Sequence, residues 1–98
     1  MKEYRVKVYE NRTEWYNLDD ELHRENGPAV EWTNGDKEWY LNGKLHREDG
    51  PAVEEANGDK EWWLNGKELT EQEFKERTGS YAGREVEIDG KTYILKLK

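Results

Sequence analysis

The sequence predicts a mainly β protein: an antiparallel β-meander of tandem hairpin repeats of about 23 residues, with one short helix at about 70–78 and a closing C-terminal hairpin. Two observations carry this prediction. Residues 22–43 and 45–66 are nearly the same sequence, and self-similarity at a fixed period indicates stacked supersecondary units. In each segment two Asn-Gly pairs also lie between strand-like runs, where they favour tight turns between antiparallel strands.

The length of 98 residues fits a single domain, 1–98. We expect an N-terminal strand within 1–14, the repeats at 15–66, a capping helix at 67–79 and a hairpin at 80–98. Departure of the terminal units from the repeat pattern is typical of caps.

The first strand is predicted by alternation. Tyr4, Val6 and Val8 alternate with Arg5 and Lys7, as expected where successive side chains point to opposite faces of a sheet.

Cross-strand charges predict the register of the first turn in each repeat. A two-residue loop would place Glu31 opposite Glu38, which is unfavourable. A three-residue loop, with its glycine in the left-handed region, places Glu31 opposite Lys37 and, in the second copy, Glu54 opposite Lys60. We therefore expect the three-residue loop.

That register separates two faces. One face carries Trp15, Trp39 and Trp62 with Ala29 and Leu41, and we expect it to form the main core. The other face is expected to be partly open, because the second copy has Glu55 where the first has a tryptophan. The aromatic and apolar residues predicted on this second face are Tyr16, Val30, Trp32, Tyr40 and Trp63.

The helix is predicted by its end signals. Thr70 and Glu73 form a capping box, Phe74 is an apolar anchor and Gly79 is a stop. The closing hairpin is predicted from a turn at Asp89-Gly90 between strand-like runs that contain Val86, Ile88, Tyr93, Leu95 and Leu97.

The charge of the chain restricts its partners. The net charge is −7, and residues 10–80 hold about −10 between basic ends. Such a surface repels nucleic acid and anionic lipid and favours a basic protein partner. The chain has no cysteine, no membrane-length apolar run and no signal-peptide pattern, so we expect a cytoplasmic protein without a cofactor.

The sequence His-Arg-Glu occurs twice and is the sharpest candidate for chemistry. His23 and His46 give only two imidazoles, whereas protein metal sites need three or four converging ligands, so no metal is expected. Arg24 and Arg47 are candidates for contact with a phosphate or carboxylate. The alternative, which we favour, is that each His-Arg pair stabilises the loop that leads into Gly-Pro.

No catalytic residue is nominated. Ser80 is the only serine and has no histidine near it in the sequence. Since a catalytic group is normally needed once, side chains that recur with the period are better explained by architecture. We therefore expect a protein that is not an enzyme.

The segment WYLNGKLHREDGPA at 39–52 resembles a repeat family of bacteriophage and large-virus proteins. The ending at 62–79 also resembles the way such repeats close, and the period is similar to that of membrane occupation and recognition nexus repeats, which form β-hairpin meanders. The likeness covers 15–79, with Asn26 in place of the usual aspartate. It implies a viral accessory protein and assigns no catalytic residue.

The leading hypothesis is a stoichiometric inhibitor of a host protein, such as an anti-CRISPR or other counter-defence protein, that covers a basic, nucleic-acid-binding surface. Two alternatives are a sponge for a signalling nucleotide, held by Arg24 and Arg47 with Tyr40 or Trp63, and a structural repeat module. The oligomeric state stays open. The candidate partner-binding residues are Glu14, Asp19, Asp20, Glu21, Glu31, Trp32, Tyr40, Glu48, Asp49, Glu54, Glu55 and Trp63.

Overall fold

The computed structural model describes residues 4–78 and, beyond them, the backbone of two strands at 85–88 and 91–94. The fold is mainly β, an antiparallel strand meander with one helix. In chain order the elements are β1 (Arg5–Val8), β2 (Arg12–Tyr16), β3 (Val30–Trp32), β4 (Lys37–Glu38), β5 (Tyr40–Leu41), β6 (Lys44–Leu45), β7 (Val53–Glu54), β8 (Lys60–Leu64), β9 (Lys67–Leu69), α1 (Glu71–Thr78), β10 (Glu85–Ile88) and β11 (Lys91–Ile94).

Seven of the strands form one sheet in the order β1-β2-β3-β4-β7-β8-β9, and every neighbouring pair is antiparallel. Strands β5 and β6 form a separate hairpin. Trp39 lies between β4 and β5, and its backbone N–H still donates to the carbonyl of Ala52 on the β7 side, at 2.7 Å. The chain therefore forms this small hairpin between β4 and β7 of the main sheet.

The predicted register of the first turn is confirmed. Glu31 pairs with Lys37 and Glu54 pairs with Lys60. The glycine of the first loop, Gly35, has φ of 104°, in the region that glycine adopts without steric cost. Opposite charges therefore face each other across both hairpins, as the sequence predicts.

The predicted helix is also confirmed. It spans Glu71–Thr78, the hydroxyl of Thr70 accepts from the backbone N–H of Glu73 at 3.1 Å, and the Glu73 carboxylate accepts from the backbone N–H of Thr70 at 3.0 Å. Phe74 is only 2% exposed. The predicted stop at Gly79 lies outside the described residues. Over the part of the chain that the structure describes, no helix has the length and apolar character needed to cross a membrane.

The predicted closing hairpin is present as β10 paired with β11, with Val86 opposite Tyr93. Its predicted turn at Asp89-Gly90, and the strand residues Leu95 and Leu97, lie outside the described residues.

The prediction that the tryptophan-bearing side forms the main core holds for the small and apolar residues of that side, but the rings themselves are less buried than expected. Trp15, Trp39 and Trp62 are all half-buried. Within residues 4–78 the buried apolar residues are Pro28, Ala29, Val30, Ala52, Leu69 and Phe74. Ala29, Ala52 and Leu69 lie opposite tryptophans across the strands and share their side, whereas Val30 lies on the opposite side.

Candidate functional site

The two faces of the main sheet differ in chemistry. Residues that pair directly across antiparallel strands share a face. We call one surface the glutamate face and the opposite one the tryptophan face. The tryptophan face carries Trp15, Trp39 and Trp62. On the glutamate face, one row crosses β2, β3, β4, β7 and β8 as Glu14, Val30, Glu38, Val53 and Glu61.

On the tryptophan face large and small residues alternate. The backbone N–H of Trp15 donates to the carbonyl of Ala29 at 2.8 Å, and that of Trp39 donates to Ala52 at 2.7 Å. Both alanines are fully buried. The small side chains give the neighbouring indole rings room to lie against the sheet, so a tryptophan and an alanine together fill each level of this face.

Arginines cover two of the rings. The guanidinium carbon of Arg24 lies 4.0 Å from the centroid of a Trp15 ring, and that of Arg47 lies 3.9 Å from a Trp39 ring. Arginine stacks well on an aromatic face because its guanidinium group is planar and weakly hydrated. The covering arginine therefore shields the outer face of each ring.

Hydrogen bonds hold each guanidinium group in place. Arg24 Nη1 donates to the carbonyl of Pro28 and to Glu31, both at 3.2 Å. Arg47 Nη1 donates to the carbonyl of Pro51 at 3.0 Å and to Glu54 at 3.1 Å. The Nε of Arg47 also donates to Asp49, 2.7 Å away.

A glycine closes the other side of each guanidinium group. A Cβ built on Gly50 would lie 2.9 Å from the Arg47 guanidinium carbon, and one built on Gly27 would lie 3.2 Å from that of Arg24. The arginine is thus held between an indole ring and a bare stretch of backbone. This close approach, rather than a turn conformation, favours glycine at Gly50 and, less strongly, at Gly27.

The histidines act as turn caps. Nδ1 of His23 accepts the backbone N–H of Asn42 at 2.9 Å, and Nδ1 of His46 accepts that of Asn65 at the same distance. A ring nitrogen that accepts carries no proton, so each neutral imidazole has its N–H on Nε2. Both histidines therefore stabilise an Asn-Gly turn. Among the side chains that the structure describes, those of residues 4–78, no group of three or more metal-ligating residues comes together.

An open cleft of about 610 Å³ lies on the tryptophan face between the two Gly-Pro loops. Its walls include Arg24, Trp39, His46 and Arg47. A nucleotide sponge would need these two arginines for phosphate, but both guanidinium groups already bind carboxylates of the sheet and its loops. An anion would have to displace those carboxylates, so the geometry favours the loop-stabilising role.

The glutamate face has a different arrangement, in which aromatic side chains donate hydrogen bonds to carboxylates. Tyr16 donates its hydroxyl proton to Glu14, and Arg12 Nε donates to the same carboxylate at 2.8 Å. Desolvation alone would raise the pKa of Glu14, but the hydrogen bonds from Arg12 and Tyr16 outweigh it and leave that pKa below its usual value. Glu14 is therefore a charged, largely covered carboxylate, with 14% of its side chain exposed.

The same pattern recurs at Glu38. Tyr40 donates its hydroxyl proton to one carboxylate oxygen at 2.8 Å, and the indole N–H of Trp32 donates to the other at 3.2 Å. Burial, followed by the hydrogen bond to Glu38, raises the pKa of Tyr40 well above its usual value. Each oxygen of Glu38 thus has one fixed donor.

Glu61 is held by one donor. The indole N–H of Trp63 donates to Oε1 of Glu61 at 2.9 Å. Glu55 has the position in its hairpin that Trp32 has in the preceding one, because the backbone N–H of each donates to the carbonyl of the residue four positions on. A second carboxylate therefore replaces the second donor beside Glu61.

The predicted partner-binding residues do not form one continuous strip. Glu14, Trp32, Tyr40, Glu55 and Trp63 belong to the glutamate face by the alternation of the strands.

The other predicted acidic residues lie elsewhere. Glu31 and Glu54 are on the tryptophan face, where they bind arginine, and Glu48 and Asp49 are in the loop before Pro51. The remaining three, Asp19, Asp20 and Glu21, lie in the turn after β2, where the Asn17 side chain accepts backbone N–H groups of Asp19 and Glu21.

Sequence reasoning missed Glu38, Glu61 and Arg12 as members of this face. A signal was present, because a glutamate stands two residues before the aromatic donor at 14–16, 38–40 and 61–63. Residues two apart on a strand share a face, so this spacing brings carboxylate and donor together.

Comparison with known proteins gives no relationship for this chain. No protein-family model matches it, and neither a curated protein nor a solved structure does so. The function is therefore argued from the residues themselves.

Proposed function

We propose that this chain is a non-catalytic binding module, built from tandem hairpin repeats, that covers a basic surface of another protein. The observation that carries the proposal is the glutamate face, where Glu14, Glu38 and Glu61 lie in one row and each accepts a hydrogen bond from an aromatic side chain. Fixed carboxylates lose little side-chain entropy when a partner binds, which favours a stable complex.

The overall charge supports the same partner chemistry. Residues 10–80 carry a net charge of about −10. A field of that sign speeds encounter with a basic protein and repels nucleic acid. Proteins that handle nucleic acid present basic surfaces, so they are the partner class that this charge fits.

The resemblance to phage and large-virus repeats narrows the proposal. A viral accessory protein of this charge would act in the host cytoplasm as a stoichiometric inhibitor, for instance an anti-CRISPR or another counter-defence protein. The proposed mode of action is occlusion of the surface through which a host protein binds nucleic acid.

The test is an affinity capture from host lysate followed by a titration with the purified partner. We expect a basic partner whose binding of nucleic acid falls as the chain is added, with saturation at a stoichiometric amount. We also expect the affinity to fall steeply between low and high NaCl, because salt screens exposed charges. A partner that binds equally well at all salt concentrations, or that keeps its nucleic acid, would contradict the proposal.

Titration with a panel of nucleotides tests the alternative that the chain is a nucleotide sponge. A nucleotide seated in the cleft beside Trp39 would change the intrinsic tryptophan fluorescence of the chain. We expect no change across the panel, because Arg24 and Arg47 are engaged by Glu31 and Glu54.

A further inference from the structure

The first of the three glutamates on the glutamate face shows how a cation binds there. Arg12 forms an ion pair with Glu14 at 2.8 Å, and Nζ of Lys7 lies 4.8 Å from the centroid of the Tyr16 ring. Lys7 also pairs with Glu14 across β1 and β2. A carboxylate, its aromatic donor and two basic side chains thus form one unit, which we call the filled notch.

The next two glutamates repeat the carboxylate and the aromatic donor without an ion pair, although Arg12 lies over the ring of Trp32, 5.3 Å from its centroid. Within residues 4–78, no basic side chain forms an ion pair with Glu38 or Glu61 or lies over the ring of Tyr40 or Trp63. We call Glu38 with Tyr40, and Glu61 with Trp63, the open notches.

Of the two open notches, the one at Glu61 is the more favourable site for a cation. Among residues 4–78, Glu38 receives two side-chain donors, whereas Glu61 receives one, the indole N–H of Trp63. Glu55, in the position equivalent to Trp32, adds a second negative charge beside it. Two neighbouring carboxylates with one fixed donor are a favourable environment for a guanidinium group, which presents several N–H donors in one plane.

The spacing of the open notches sets the form of the ligand. Strand β7 separates β4 from β8, so Glu38 and Glu61 are two strand spacings apart, about 9.5 Å. A polyproline II helix has three residues per turn and rises about 3.1 Å per residue, so every third side chain lies on the same side about 9.3 Å further along. The two distances agree.

We propose that the open notches bind an extended, polyproline II-like segment of a partner protein that carries arginine or lysine at every third position. This inference rests on the proposed function and names the chemistry of the partner at the glutamate face. The chain's own Arg12 and Lys7 demonstrate the contacts, and the partner supplies the equivalent groups to Glu38 and Glu61. Aromatic side chains beside the notches suit such a segment, because polyproline II ligands pack on aromatic surfaces.

The test is a titration of the protein with a synthetic peptide of four Arg-Pro-Pro units, followed by NMR of the tryptophan indole N–H groups. We expect the Trp63 and Trp32 indole resonances to shift on titration, since both groups donate to the notch carboxylates. A peptide of identical composition, with its arginines in two adjacent pairs separated by three prolines, has no two arginines three residues apart. It is expected to bind about fivefold or more weakly, because it cannot engage both notches at once. Equal affinity of the two peptides would overturn the proposal.

Variants of the notch make the test specific. Glu61→Gln is expected to weaken the spaced peptide about tenfold, since a partly covered charge pair is lost. Glu55→Trp restores the aromatic residue of the first copy and removes one of the two neighbouring carboxylates. We expect it to weaken binding of the spaced peptide similarly, without changing the fold. Glu76→Gln makes the same charge change on the exposed side of α1 and is the matched control, expected to bind as the unaltered protein does. Undiminished binding by both notch variants would overturn the proposal.

The result also separates this inference from the proposed function. If the chain captures a basic partner with a salt-dependent affinity but Glu61→Gln has no effect, the proposed function stands and the notch assignment is wrong. If the Trp63 indole resonance shifts with protein concentration alone, the face binds a second copy of the chain, which also overturns the proposal.

Discussion

At the residue scale, Gly50 is the position where the smallest change has the clearest consequence. A Cβ there would lie 2.9 Å from the Arg47 guanidinium carbon, closer than such atoms normally approach. We expect Gly50→Ala to displace Arg47 from Trp39 and to reduce the free energy of unfolding by about 1–3 kcal/mol, as over-packing does in well-packed sites. Urea unfolding followed by tryptophan fluorescence measures this change.

A double-mutant cycle provides the control. In the background of Arg47→Ala, Gly50→Ala should reduce the free energy of unfolding much less, because the guanidinium group that the new Cβ would contact is absent. Gly27→Ala should cost less than Gly50→Ala, since its nearest contact is 3.2 Å. An equal cost of Gly50→Ala in both backgrounds would show that Arg47 is not the cause.

Tyr16 offers a second residue-scale prediction. Its hydrogen bond to Glu14, and then desolvation, raise the pKa of Tyr16 from 10.0 to about 12. Because the pKa is higher in the folded state, this contribution to stability is complete below pH 10 and is lost as the pH rises towards 12. Ultraviolet titration of the phenolate, assigned by comparison with Tyr16→Phe, measures the value.

The partner of this hydrogen bond supplies the control. Glu14→Gln removes the charge that opposes formation of the phenolate, so the pKa of Tyr16 should return towards its usual value. If Tyr16 titrates near its usual pKa in the unaltered protein, the hydrogen bond to Glu14 does not form in solution.

At the scale of elements, the two kinds of Asn-Gly turn show how context selects a conformation. Asn42 and Gly43 both have positive φ, at 50° and 79°, and close a two-residue turn between β5 and β6. In the loop between β3 and β4 only the glycine, Gly35, has positive φ. The same dipeptide therefore forms different turns, because in the second case the pairing of Glu31 with Lys37 fixes a three-residue loop.

The helix gives a prediction at this scale. The reciprocal hydrogen bonds of Thr70 and Glu73 satisfy two backbone N–H groups at the start of α1. We expect Thr70→Ala to reduce the free energy of unfolding by about 1 kcal/mol, whereas Thr70→Ser should retain most of it. Urea unfolding of the unaltered protein, Thr70→Ala and Thr70→Ser measures the three free energies of unfolding. A loss with serine as large as that with alanine would mean that the hydroxyl is not the stabilising group.

The helix also explains how the repeat pattern ends. Trp62 has no arginine over it among residues 4–78, and its cross-strand partner is Leu69, which is 5% exposed. Phe74 of α1 is buried nearby at the same end of the sheet. At this last tryptophan, apolar residues at the helical end of the sheet thus take the place of the arginine that covers Trp15 and Trp39.

At the scale of the whole molecule, the two faces of the main sheet differ in what covers them. The tryptophan face is covered by the molecule's own arginines, Arg24 and Arg47. The glutamate face keeps its carboxylates fixed by aromatic donors, and within residues 4–78 only Glu14 of its three glutamates forms an ion pair. The proposed binding surface is therefore the face that the sequence predicts to be partly open.

Much of the fold follows from local sequence. The turn register follows from cross-strand charge, and the helix start from its capping box. The core prediction gave the correct side for Ala29, Ala52 and Leu69 but expected the tryptophan rings to be more deeply buried, because the depth of burial depends on contacts between distant segments that no local pattern encodes. The acidic strip was likewise divided between faces and turns once the register assigned each carboxylate to a side.

By itself the sequence determined the hairpins, the helix and the sign of the surface charge, because turns, caps and charge depend on neighbouring residues. The tertiary structure alone decided that Arg24 and Arg47 cover tryptophans while Glu38 and Glu61 stay open. These outcomes depend on contacts between strands that are far apart in the chain. A pattern read along one strand cannot show which groups such strands bring together or leave unmatched.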